Sequence, residues 1–158
     1  MAKRIDVEKL QSVVGTLYPP PFDEKCRARE RTRLGTAAGL TQFGVNLLRL
    51  RPGAWSSQRH WHTGEDEFVY IVSGEVVLVT DAGEEVLRAG DCAGFKANDG
   101  DGHCLQNRSG QDAVVLEIGS RVATSGGCYS DIDMMVMPGV GYTHRDGTPY
   151  PKAERRGP

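Results

Sequence analysis

A chain of 158 residues with 39% apolar and 25% charged residues can bury one sizeable core, and a net charge of −2 is too small and too mixed to select nucleic acid, an anionic membrane or a polycationic partner. Met1 to Leu10 alternate charged and apolar side chains, so neither a signal peptide nor a membrane span is predicted, and a cytoplasmic protein is expected. Cys26, Cys92, Cys104 and Cys128 are scattered without a Cys-x-x-Cys pair, which argues against a zinc knuckle or a disulfide framework and for four reduced thiols.

Residues 1–34 read as an N-terminal arm. A short helix is expected near Val7 to Val14, followed by an extended run at Tyr18-Pro19-Pro20-Pro21-Phe22, where three prolines cannot continue a helix. Arg27, Arg29, Arg31 and Arg33 alternate with other residues, which puts four guanidinium groups on one side of an extended strand. Their expected role is to keep a solvated edge strand from aggregating.

From Leu40 onward, short runs of Val, Leu, Ile and aromatic residues are separated by Gly, Asp, Asn and Pro. Nine strands are predicted: Gln42 to Leu50, Ser57 to His62, Glu67 to Ser73, Glu75 to Thr80, Glu84 to Arg88, Asp91 to Lys96, Gly102 to Asn107, Asp112 to Ser120 and Asp131 to Met137. Asp81-Ala82-Gly83 marks a tight hairpin turn, with Gly83 free to take positive φ. The core candidates are Phe43, Val45, Leu47, Val69, Ile71, Val77, Val79, Val114, Leu116 and Ile118. The expected fold is all-β, an antiparallel sandwich or barrel of which the jelly roll is one form, spanning 35–138. A turn-rich tail, 139–158, is expected to wrap the barrel and fray.

His60-Trp61-His62 lies in a predicted strand, so the two imidazoles share a face and Trp61 points away, toward a second sheet or a dimer interface. Glu67 opens the next strand and His103 begins a later one. Three imidazoles and one carboxylate suit one divalent first-row transition metal ion (Fe, Mn, Zn or Ni) and leave open positions for a substrate. If His62 and His103 face inward, strand parity turns Gln58 and Asn107 inward as well, making them candidate substrate-binding residues. Lys96, near the barrel mouth, is a third candidate, for an anionic group. His144, in the tail, is left outside the site.

Gly53, His60, His62, Glu67 and Gly74 resemble the first motif of the cupin family, and Gly90, His103 and Asn107 resemble its second. The chain departs from the family pattern at Lys96-Ala97-Asn98, where Pro-x-Gly is usual. The resemblance implies a double-stranded β-helix, the jelly-roll cupin barrel, with His60, His62, Glu67 and His103 as metal ligands in its mouth and a homodimer as the assembly. Glu65 is the rival carboxylate, but Glu67 matches the motif. Thr41 to Asn46 and His144 to Tyr150 resemble a group of short bacterial cupins, some labelled sugar-phosphate isomerases.

That resemblance implies an aldose-ketose isomerase acting on a small phosphorylated sugar, with Glu67 as the catalytic base. The alternatives are a non-haem iron dioxygenase, which uses the same ligand types, and a non-catalytic ligand-binding barrel. For an isomerase, Lys96, Arg49 and Arg59 are the expected anion contacts.

Overall fold

The structure, a computed structural model, describes residues 4–158, so the first three residues of the arm lie outside it. Among the described residues there are thirteen strands: β1 (Ser12–Val14), β2 (Arg29–Thr32), β3 (Phe43–Leu50), β4 (His60–His62), β5 (Glu67–Ser73), β6 (Glu75–Thr80), β7 (Gly83–Arg88), β8 (Cys92–Phe95), β9 (Cys104–Gln106), β10 (Ala113–Ser120), β11 (Gly127–Tyr129), β12 (Met135–Met137) and β13 (Gly141–Thr143). One short helix, α1, spans Leu34–Ala37. None of the helices is long and apolar enough to cross a membrane.

Six strands form one antiparallel sheet in the order β1-β2-β3-β10-β5-β8. Facing it are β13-β12-β11-β4 and β7-β6-β9, joined where His60 bridges His103. Two layers wound this way make an all-β jelly-roll barrel. The β6-β7 hairpin pairs Thr80 with Gly83, leaving Asp81 and Ala82 as a two-residue loop, and Gly83 takes φ +122° as its position requires. Gly74, between β5 and β6, has φ +75°, and a Cβ there would lie 2.6 Å from the Asp112 carbonyl oxygen.

The core lies between the layers and includes Leu48, Leu50, Ile71, Val76, Leu105 and Val115. Full burial of each such side chain contributes about 1.5–3 kcal/mol. Register explains the choice of face: Leu48 lies opposite Val115, and Val115 opposite Ile71, all turned inward. Of the predicted core residues, only Val69 and Ile71 join this cluster. Phe43, Val45, Leu47, Val114, Leu116 and Ile118 belong to the opposite face. Leu47 and Leu48 are adjacent, so β3 is apolar on both sides and alternation alone cannot pick the inner one.

The ends of the chain also differ from expectation. The predicted helix over Val7 to Val14 is a single 3-10 turn, Val7–Lys9, followed by strand β1. The arginine strand is not an edge, because β2 is paired on one side by β1 and on the other by β3. The tail does not fray: β13 extends a sheet, and Arg156 forms an antiparallel bridge with Thr16. All four cysteines are free thiols, Cys26 and Cys104 buried.

Candidate metal centre

Four residues from three chain segments converge at one end of the barrel. His60 and His62 share a face of β4, as the one-residue spacing requires, and their Nε2 atoms are 3.2 Å apart. Glu67 opens β5 opposite Gly119 of β10, and its Oε2 is 3.4 Å from His62 Nε2. His103 precedes β9, and its Nε2 is 3.0 Å from the same Oε2. The ligand atoms of His60, His62 and Glu67 all lie within 4.8 Å of one another.

The rings of His60 and His103 are held in place. Nδ1 of His60 is 3.0 Å from the Gln58 carbonyl oxygen, which only accepts, so Nδ1 carries the proton and Nε2 presents its lone pair to the cluster. Phe95 stacks on His103, with centroids 3.5 Å apart and planes within 2°. Glu65, the rival carboxylate, stands behind the site. Its Oε1 accepts a hydrogen bond from the Val122 amide at 2.8 Å, and its Oε2 is 3.8 Å from His62 Nδ1.

Burial pushes the His60 imidazole down to about 3, so it is neutral. Burial by itself would raise the Glu67 carboxyl, but the hydrogen bond from His103, backed by the electrostatic pull of the surrounding imidazole rings, outweighs it and holds it down at about 2. Neutral imidazole beside ionised carboxylate is the protonation state a divalent cation needs, and the N/O donor set suits a first-row transition metal. The residues present therefore fit such an ion.

The cluster lines a cavity of about 310 Å³ that also takes in Arg29, Arg31, Glu117, Tyr18, Tyr129 and Tyr142. Arg31 binds Glu117 through two hydrogen bonds, at 2.8 and 2.9 Å. Burial pushes the phenols of Tyr18, Tyr129 and Tyr142 up, so they remain protonated donors. The Tyr129 hydroxyl donates to that of Tyr18 at 3.2 Å.

None of the three expected substrate-binding residues lines this cavity. Gln58 lies in a bend before β4, where strand parity does not apply, and its Nε2 donates to the Phe22 carbonyl at 2.7 Å. Asn107 is 1% exposed and ties the Leu50 and Gln111 carbonyls together. Lys96 is exposed and borders a small recess lined by His62, Glu67 and His103 of the cluster and by Glu65 and Asp99. Arg49 pairs with Asp112, and Arg59 with Asp81 and Asp131. His144 is hydrogen-bonded to Asp133 at 2.8 Å, away from the cluster.

The cavity's tyrosines and inward arginines were missed in the sequence. A signal for the arginines existed, since Arg29, Arg31 and Arg33 alternate, but alternation does not say which face is buried. Tyr129 had no comparable signal, because Gly127-Cys128-Tyr129 is too short a run to read as a strand.

A family model described as a cupin domain matches residues 46–119. A cupin-superfamily sugar phosphate isomerase from Silicibacter pomeroyi is 42% identical, with a TM-score of 0.90 over 96% of this chain and 100% of that one. A proposed sugar phosphate isomerase from Acidithiobacillus ferrooxidans is 26% identical, with a TM-score of 0.70 over 78% of this chain and 81% of that one. The polyketide cyclase RemF from Streptomyces resistomycificus shares the fold at 20% identity and a TM-score of 0.62, over 76% of this chain and 80% of that one. A comparison with curated proteins returns no match. With the two motifs gathered at one barrel mouth and a relative of this identity matched along its whole length, the chain belongs to the cupin superfamily.

Proposed function

We propose that this protein is a metal-dependent aldose-ketose isomerase acting on a small phosphorylated sugar, with His60, His62, Glu67 and His103 holding one divalent ion. The observation that carries this reading is the convergence of three imidazoles and an ionised carboxylate on the wall of a cavity that also presents arginine and tyrosine side chains. The relative from Silicibacter pomeroyi, named a sugar phosphate isomerase, supports the choice of reaction. A bound divalent ion supplies Lewis-acid polarisation of a substrate carbonyl.

The chain's own residues account for the rest. Oε2 of Glu67 faces His62 and His103, while Oε1 makes no hydrogen bond among the described residues. A carboxylate held ionised with one oxygen spare can accept a proton from one carbon and return it to the next. Tyr18 and Tyr142, kept protonated by burial, can donate hydrogen bonds to substrate hydroxyls. The adjacent rings and the Leu105 side chain narrow the water-accessible space around the reacting carbons.

The test is to incubate metal-loaded protein with aldose phosphates in deuterated water and follow the product by NMR. Label entering the carbon next to the carbonyl, lost on chelation and in Glu67→Gln, is the expected result. Wild-type turnover by metal-stripped protein would overturn the reading.

The same reading includes a homodimer. The outward face of the six-stranded sheet exposes Phe43, Phe68, Tyr70 and Val72, apolar side chains that a second copy would cover. An arm reaching across to the partner is disfavoured because β1 already pairs with β2 and β2 with β3, which leaves the sheet face as the surface offered to a second copy.

A further inference from the structure

Arg29 and Arg31 lie opposite Leu50 and Leu48, two residues of the core, so their side chains leave the sheet on its inner face. Arg33, just past the end of β2, is exposed and lines the same cavity as Arg29 and Arg31. Of the four arginines in the original run, Arg27 alone departs, pairing with the buried Asp23 at 2.8 Å. Charges turned toward a barrel interior are unfavourable unless something compensates them. Arg31 has Glu117. Among the described residues, Arg29 and Arg33 make no salt bridge.

These groups border a second cavity of about 200 Å³ whose wall contains Arg29, Arg31, Arg33 and Arg155 and no acidic residue. Arg155 arrives from the far end of the chain. Thr16 and Arg156 exchange backbone hydrogen bonds, both at 3.0 Å, and Gly15 makes room for them: with φ +85°, a Cβ there would lie 1.9 Å from the Arg156 carbonyl oxygen. Arg155, which also makes no salt bridge among the described residues, is thereby held beside three like charges. Burial, followed by repulsion from Arg29, Arg33 and Arg31, lowers its proton affinity.

We propose that this cavity is an oxyanion site that takes the phosphate group of a phosphomonoester. Arg29 is its rigid wall, donating to the Gly15 carbonyl at 3.3 Å, to Thr16 Oγ1 at 3.1 Å and to the Ser56 carbonyl, with its guanidinium 5.4 Å from the Tyr18 ring centroid. Arg33 makes no side-chain hydrogen bond among the described residues, and Arg155 spends one donor, on the Gly15 carbonyl at 3.0 Å. Their remaining donors suit the bidentate geometry that guanidinium offers phosphate oxygens. The cavity shares Arg29, Arg31 and Tyr142 with the one that holds the histidine-glutamate cluster. A ligand anchored here by its phosphate extends its carbon chain toward that cluster. The anion site needs only the arginines; the identity of the attached carbon chain as a sugar rests on the isomerase reading.

The test is isothermal titration of metal-loaded protein with inorganic phosphate, against a sodium chloride titration of equal ionic strength. One phosphate per chain is expected in wild type, and an affinity at least about tenfold lower in the Arg33→Gln/Arg155→Gln double variant. Both residues are exposed, so the variant should keep the wild-type fold and metal content, checked by its melting temperature and by elemental analysis. No binding by wild type up to on the order of 10 mM phosphate, or unchanged binding by a folded double variant, overturns the site. Arginine-dependent phosphate binding without isomerisation of any sugar phosphate supports the site and removes the isomerase reading. Isomerisation with an unchanged KM in the double variant removes the site alone.

Discussion

His60 and His103 exchange both backbone hydrogen bonds, His103 N–H to the His60 carbonyl at 2.9 Å and His60 N–H to the His103 carbonyl at 3.1 Å. This one bridge joins β4 to the β9 end of the neighbouring sheet, and it sets the two imidazoles 5.1 Å apart, centroid to centroid. The backbone therefore fixes the spacing of two candidate ligands before any ion arrives. Because the bridge is main-chain, it survives truncation of either ring.

It follows that His60→Ala, His62→Ala and His103→Ala should each fold and each lose the metal. His144→Ala, whose ring pairs with Asp133 and stacks on Tyr150, should keep it. Elemental analysis is expected to give about one ion per chain in wild type and His144→Ala and near none in the other three. Full occupancy in His103→Ala would remove His103 from the ligand set.

Gly74→Ala should destabilise the fold by about 2 kcal/mol or more, because φ +75° is strained for alanine and the new Cβ would collide with the Asp112 backbone. Gly83→Ala, at φ +122° but facing open space, should cost less, about 1 kcal/mol. Urea melts of the two variants compare them directly; equal losses would show that backbone conformation, and not the collision, sets the cost at Gly74.

Acid should destabilise the metal-free protein. The folded His60 titrates near 3 against an ordinary 6.5, so between those values the unfolded chain binds more protons, and stability falls as the pH drops through 6.5. Glu67 acts in the same direction lower down: its folded value near 2 against 4.5 gives stability that is complete above 4.5 and lost as the pH falls toward 2. Thermal melts of chelator-treated protein from pH 7 to pH 3 should show a steady fall in melting temperature. A flat profile would mean that the His60 ring is not buried in its neutral form.

The cluster of candidate ligands was legible because motif spacing is local. His60, His62 and Glu67 sit within one strand-turn-strand unit, and the two-residue period decides which side chains share a face. The strands from Phe43 to Ser120 were legible for the same reason. What the sequence hides is which face is inner. Leu47 and Leu48, or Tyr70 and Ile71, are equally apolar, and the answer depends on partners far along the chain, such as Leu116 and Val115. That ambiguity also concealed the arginines, because Arg29 and Arg31 look like surface charges until pairing with Leu50 and Leu48 turns them inward. For Gln58 the reason is different: it lies just outside the strand whose parity was applied to it.

Light scattering at micromolar concentration should report a dimer, and charged substitutions on the outer sheet face, Phe68→Lys with Tyr70→Lys, should give a folded monomer. Both side chains are about 40% exposed, at 40% and 41%, so the substitutions leave the core intact. A wild-type monomer, or a dimer indifferent to these changes, would remove this face as the interface.

The most direct measurement of the central claim is anomalous diffraction from crystals grown with manganese. A single peak about 2 Å from the Nε2 atoms of His60, His62 and His103 and from a carboxylate oxygen of Glu67 is predicted. Absence of a peak at that cluster, or a peak held by other residues, would contradict it.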